Sequence, residues 1–344
     1  MRTATARRIS PFAWVISAVA VLFTLTLGVS IGAVSLAPLT VWSEISSNLF
    51  GTAANSTASE STIIWQLRLP RVLLAFVVGS MLASAGCAYQ GTFRNPLADP
   101  YLLGVSAGAG LGATIAIFNS SGATKFLLPL AAFAGALGAV VLTYSLGRSA
   151  IAGRSSTALI LAGVAVASLL TAIQTLLQQQ NTDKIREIYA WVLGRLSTSG
   201  WNDLAIITPY ILVCIIVLLR YRRVLDVFAV GDEEALTMGL PVARARAAII
   251  VAASLGTAAA VAVTGLIGFV GIIVPHILRL IVGNSYRILL PLSVIYGGIF
   301  LVLADIFART ILAPQEISIG VVTALLGAPF FLFVLGSSKN GSVT

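Results

Sequence analysis

Runs of about twenty apolar residues recur along the whole chain and constrain it more than any other feature. They fall roughly over residues 12–36, 72–90, 101–118, 126–147, 157–178, 204–220, 247–272, 274–283, 289–312 and 318–335. A helix needs roughly 20 such residues to cross a bilayer, and inside lipid it must satisfy its own backbone. Ten runs in 344 residues therefore predict an all-α polytopic membrane protein, with 1–344 as a single transmembrane domain. A transmembrane barrel would instead show alternating segments of about ten residues. The eighth run is short. It predicts either extension into its neighbours or a broken helix, which lipid tolerates only where protein covers it.

Charge is scarce, at 10% of residues, and its placement speaks to orientation. With the N-terminus inside, 14 of the 21 Lys and Arg fall on internal segments and 7 on external ones. That bias predicts both termini in the cytoplasm. The net charge of +9 reflects the same bias and points to no nucleic-acid partner. Arg2, Arg7 and Arg8 imitate the start of a signal peptide. The run that follows them is too long for one and lacks a small-residue cleavage site, so it reads as the first span. Cys87 and Cys214 both lie in apolar runs and suggest neither a disulfide nor a metal site.

Three motifs drop out on context. Gly104-Val-Ser106-Ala-Gly108 matches a nucleophile elbow but lies in a membrane run, and the only histidine is His276. Gly108-Ala-Gly110-Leu-Gly112 has no βαβ unit around it. Gly104, Gly108 and Gly112 read better as one smooth helix face for close packing. Lys125, Lys184 and Lys339 follow Thr124, Asp183 and Ser338, so the Gly-Lys-Ser/Thr of a P-loop is missing. A nucleotide driving this chain would sit on another one.

Against this background the segment AVGDEEALTMGLPVARARAA (229–248) stands out. Asp232 can cap a helix, and Glu233 and Glu234 suit its positive end. Gly239 can close it, and Pro241 can open the next. The pattern predicts two short helices and a sharp turn on the cytoplasmic side, a rigid element that a docking partner could grip.

From Ile63 to Leu335 the chain resembles the FecCD/BtuC-type permease subunits of binding-protein-dependent ABC importers for iron–siderophores, haem and vitamin B12. The resemblance rests on RLPRVLLAFVVGSMLASAGCAYQ (68–90), NPLADPYLLGVSAGAGLG (95–112), LILAGVAVASLL (159–170), WVLGRLS (191–197), GDEEALTMGLPVARAR (231–246), GLIGFVGIIVPHILRLIVG (265–283), LADIFART (303–310) and EISIGVVTALLGAPFFLFVL (316–335). It implies ten spans per subunit in a bacterial cell membrane, a homodimer with the pathway at its interface, two ATP-binding subunits and an extracytoplasmic substrate-binding protein. It implies no cofactor in this chain, with ATP and Mg held by the partner ATPase. A ferric siderophore or related iron chelate is the expected cargo, with haem and vitamin B12 as alternatives.

Residue by residue, the resemblance makes 229–246 the ATPase-coupling segment, through Asp232, Glu233, Glu234, Ala235, Leu236, Met238, Gly239 and Leu240. It makes Arg68, Arg71 and Arg309 the outer arginines that receive acidic residues of the binding protein, which suits the fork geometry of Arg. Ser155, Ser156 and Thr157 become the cytoplasmic gate. Asp305 is the one acid deep in an apolar run, and such charges are functional candidates. A proton-coupled carrier would use it. The match to LAD…AR instead favours a structural partner such as Arg309, one turn on. His276 follows Pro275 inside a family motif, which disfavours a haem-ligand role.

Overall fold

The computed structural model describes residues 10–51, 56–119, 127–147, 156–197 and 200–339, and every regular element among them is helical. Helix α1 (Pro11–Ser30) starts with Pro11 in its first turn and is capped by the Ser10 hydroxyl, which accepts from the Ala13 amide. Helices α2 (Pro38–Phe50) and α3 (Ala58–Thr62) follow. A π-helical stretch, Ile63–Arg68, joins α3 to α4 (Leu69–Phe93), so that 58–93 is one continuous rod. Next come α5 (Val105–Asn119), α6 (Leu127–Gly147), α7 (Ser156–Gln180) and the short α8 (Ile185–Val192). The second half holds α9 (Trp201–Val230), α10 (Asp232–Thr237), α11 (Val242–Thr264), α12 (Val270–Val282), α13 (Tyr286–Thr310) and α14 (Ile319–Lys339). Seven helices are long and apolar enough to cross a membrane. The shorter apolar α5, α12 and α14 bring the described spans to ten, the number that the apolar runs predict.

Helix α4 is the axis. It is buried along most of its length and packs on α9, α11, α12 and α13. In lipid the packing force is contact rather than expulsion from water, so helices that meet closely need small residues. A Cβ on Gly79 would collide with the Gly297 carbonyl of α13, and one on Gly86 with the Gly271 carbonyl of α12. Beyond α11, α5 packs into α6 in the same way, with Gly108 against Gly135 and Gly112 against Ala131. Gly104 does not belong to that stripe. It precedes α5 with φ +79°, so its glycine serves the backbone rather than the packing.

The short eighth run extends into its neighbour, since α12 is one continuous helix from Val270, and the break that separates it from α11 lies at 265–269. Gly265 (φ +71°) and Phe269 (φ +67°) turn the chain between α11 and α12. Protein covers the freed backbone. The Arg195 amide donates to the Thr264 carbonyl at 2.7 Å, and the Tyr101 hydroxyl donates to the Ile267 carbonyl at 2.9 Å and accepts from the Ile267 amide at 3.0 Å. Two spans are longer than their apolar runs. The second begins at Ala58, and the sixth reaches Val230, where Arg220, Arg222, Arg223 and Asp226 end the hydropathy signal but not the helix.

Candidate functional site

The three arginines singled out by sequence meet at one end of the bundle, around a cavity of about 410 Å³ that also holds Gly32, Ser197 and Glu316. Arg68 closes the π-helical stretch. Its guanidinium donates to the carbonyls of Val29 (2.8 Å), Ser30 (2.9 Å) and Val34. Arg309, in the last turn of α13, donates to Gly28 and Ile31, both at 3.0 Å. The last carbonyls of a helix have no internal partner and carry its negative dipole end. Two cations from α13 and the 58–93 rod therefore cap the C-terminus of α1.

Arg71 forks between two acids. Its Nη2 meets the Asp305 carboxylate at 2.8 Å, and its Nη1 reaches both Glu316 oxygens at 2.9 Å. Asp305 is fully buried and also pairs with Arg309 Nε at 3.0 Å. The structural partner expected for Asp305 at i+4 is present, and Arg71 adds a second that sequence reading missed. The three arginines expected to receive a partner's acids are not equally open to one. Arg68 and Arg309 are only 7% and 6% exposed, because their donors are spent on α1. Arg71 and the half-exposed Glu316 are the charges of this cluster that line the cavity nearest its surface. Glu316 lies within a quoted motif, but nothing in its local pattern ties it to Arg71.

At the opposite end, α9 overshoots its apolar run and hands the chain to α10 through the extended Gly231. Gly231 is the N-cap, so Asp232 is the first helical residue rather than the cap. Its carboxylate accepts from Arg246 Nη2 at 2.8 and 2.9 Å, and the same guanidinium lies 5.3 Å from the centre of the Phe228 ring. The C-terminus of α10 follows the sequence expectation. Gly239 takes φ +75°, and the Leu240 amide donates back to the Ala235 carbonyl at 3.1 Å. The second short helix does not exist as a separate element. Pro241 is the N-cap of α11, and Val242 to Arg246 are its first turns. Ala235 is buried, anchoring the turn, while Leu236 and Met238 stand exposed beside Glu233 and Glu234.

Of the expected gate residues, Ser155 lies outside the described residues. Ser156 opens α7, and Thr157 is exposed. Among the described residues, helix α7 packs mainly on α5, α6 and the turn after it, with Gly163 against Leu102. It leaves open a mixed face on which Ser168, Thr171 and Thr175 stand among exposed Leu161, Val164 and Leu169, with half-buried Gln174 and Gln178 at its edge. His276 packs edge-on against Phe330, with ring centres 5.6 Å apart.

The FecCD transport family matches residues 19–337. The cobalamin import system permease BtuC of Halobacterium salinarum is 45% identical over 79% of this chain and 73% of its own length. The hemin transport system permease HmuU of Yersinia pestis is 38% identical over 89% of this chain and 90% of its own. A metal-chelate type ABC transporter solved in an inward-facing conformation superposes with a TM-score of 0.83 at 30% identity, covering 95% of this chain and 100% of that one. With the ten-span fold already described, these matches place the chain in the FecCD transport family, as the membrane permease of a metal-chelate type ABC importer.

Proposed function

We propose that two copies of this chain form the pathway of an ATP-driven importer for a ferric siderophore or related iron chelate. The observation that carries the reading is the α10 turn. It is capped, anchored by Ala235 and tied by Asp232 to Arg246, yet it presents Leu236 and Met238 to the outside. Exposed apolar side chains on a rigid, charged turn suit a partner surface. That partner is one of two ATP-binding subunits, which hold the ATP and Mg.

The open face of α7 supports the homodimer. Ser168, Thr171 and Thr175 are poor company for acyl chains, and a second copy turns them toward a shared, hydrated path. Thr157 at the start of α7 belongs to the cytoplasmic gate. At the Arg71 end the binding protein delivers the chelate, with Arg71 offered to one of its acids. The uneven distribution of Lys and Arg between alternate connections supports α10 and both termini in the cytoplasm. Closing of the ATPase pair favours one arrangement of the dimer and opening the other, a two-state element biased by differential contacts.

Vesicles reconstituted with the chain and its ATPase test this. Uptake of labelled ferric chelate, driven by ATP on the α10 side and silent to a pH gradient, is the expected result. Uptake that follows a pH gradient without ATP would overturn it. Cobalamin is the second cargo reading, favoured by the 45% identity to the archaeal cobalamin permease. The same assay with labelled cobalamin separates the two.

A further inference from the structure

Helix α2 is built inside out. Its buried face carries Glu44 and Ser47 beside Val41, and its open face carries Leu39, Trp42, Leu49 and Phe50. Leu39 and Phe50 are 84% and 79% exposed. Glu44 is the only charged residue between Ile31 and Ser56, and it is turned inward. There it accepts hydrogen bonds from Ser56, from Ser61 at 2.6 Å and from Asn48 at 3.3 Å. The hydrogen bonds from Ser56 and then Ser61 hold its carboxyl below the ordinary range, so the inward position suits the charged form.

Place and length limit what can cover the apolar face. Thirteen residues make a helix of about 20 Å, too short to span. Both flanks of α2 are fixed at the arginine end, since Arg68 binds the Val34 carbonyl before it and Ser61 binds Glu44 after it. Helix α2 packs on α1, a span whose outer side is itself open and apolar at Val15, Val19 and Phe23. Helix α7 packs on α5 and α6, whereas α1 packs on α13, α2 and α4. The apolar face of α2 therefore continues the lipid-facing side of α1. Trp42 and Phe50 are of the residue class that gathers at the membrane–water boundary.

We infer that α2 lies in the plane of the membrane interface as an anchor, its Leu39, Trp42, Leu49 and Phe50 face dissolved in the lipid boundary and its Glu44 face holding the α1–α4 connection. The partner is a lipid surface, not a protein. It would fix the depth of the Arg68–Arg71–Arg309 cluster relative to the bilayer.

The test uses the full chain in phosphatidylcholine vesicles, with an environment-sensitive fluorophore on Trp42→Cys or, separately, Leu49→Cys. Native Cys87 and Cys214 are buried and label poorly. Phe23→Cys on α1 is the deep-lipid control, and Glu233→Cys is the water control. Lipids carry a nitroxide near either the glycerol or the methyl end of the acyl chain, and iodide is present on both sides. The shallow nitroxide should quench labels 42 and 49 about twofold more than the deep one, as burial of ~5–10 Å requires. Iodide should quench them far less than label 233. Iodide quenching equal to that of label 233 would mean that the face is in water. Protection from both nitroxides and iodide would mean that protein covers it. Either result overturns the inference, and neither depends on the transport reading.

Discussion

The two ends of the bundle use charge in opposite ways. At the arginine end, Arg68, Arg71, Arg309 and Asp305 point inward, and only Glu316 remains half in solvent. At the α10 end, Asp226 and Asp232 are tied down, by Arg287 and Arg246, while Glu233 and Glu234 stay exposed. Buried charges must be paired and hydrogen-bonded, or they cost several kcal/mol. Exposed ones are nearly free to vary. The first cluster is therefore architecture that joins α1, α4 and α13. The second is a presented surface whose architecture lies in the backbone at Gly231 and Gly239.

That contrast predicts a graded series of losses. Asp305→Ala should be the most damaging, because it leaves two guanidiniums buried beside a hole. A loss of about 3–5 kcal/mol should appear as poor membrane yield and a much lower unfolding temperature in detergent. A variant as stable as the parent would remove the distinction between the two ends. Arg68→Ala strips donors from the end of α1 and should cost about 1–3 kcal/mol, read in the same assay. Arg68→Glu should fold worse still, so it cannot serve as a clean probe of docking.

Gly239→Val sharpens the other side of the comparison. A left-handed β-branched residue is strained by about 1–2 kcal/mol, confined to an exposed turn. Unfolding temperature should barely move, while binding of the ATPase, followed by co-purification, should fall sharply. If stability and ATPase binding decline together, the turn is architecture as well. Glu316→Gln should be the mildest at the arginine end, within about 1 kcal/mol, since its carboxylate is half exposed. The smallest effect is one of pH. The carboxyl of Glu44 lies below its ordinary value of 4.5, so its contribution is complete above that value and fades as pH falls through the lower folded one. Hydrogen-exchange protection of the α3 amides beside Ser61 should fall only in that acid range, and Glu44→Gln should abolish the dependence.

Much of this was legible in the chain. Apolar runs give the spans because lipid demands continuous helix, and the φ of Gly239 follows from its place after EEALTM. The break at 265–269 was hidden because Leu266, Ile267 and Phe269 are as apolar as the helices they separate; only Gly265 and Gly268 mark it. Helix α2 was missed because its neighbourhood is rich in Ser, Thr and Ala. Yet Leu39, Trp42, Leu49 and Phe50 carry a helical spacing. The partners of Arg71 were out of reach, since Asp305 and Glu316 lie 234 and 245 positions away and only the packing of α4 on α13 brings them together.

Helix α9 connects the two ends directly. Its 30 residues make a strut of about 45 Å, longer than the ~30 Å hydrocarbon layer. One tip carries α10. At the other, Trp201 donates to the Trp65 carbonyl at 2.7 Å and stacks on the Trp65 ring, 6.2 Å between centres. In mechanical terms, a load applied at Asp232 acts on a lever whose far tip is pinned beside Arg68. Pro209 lies eight residues from that tip and removes a hydrogen bond from the strut, which makes it the natural joint. Bending would then concentrate near the pinned tip and leave the long arm stiff.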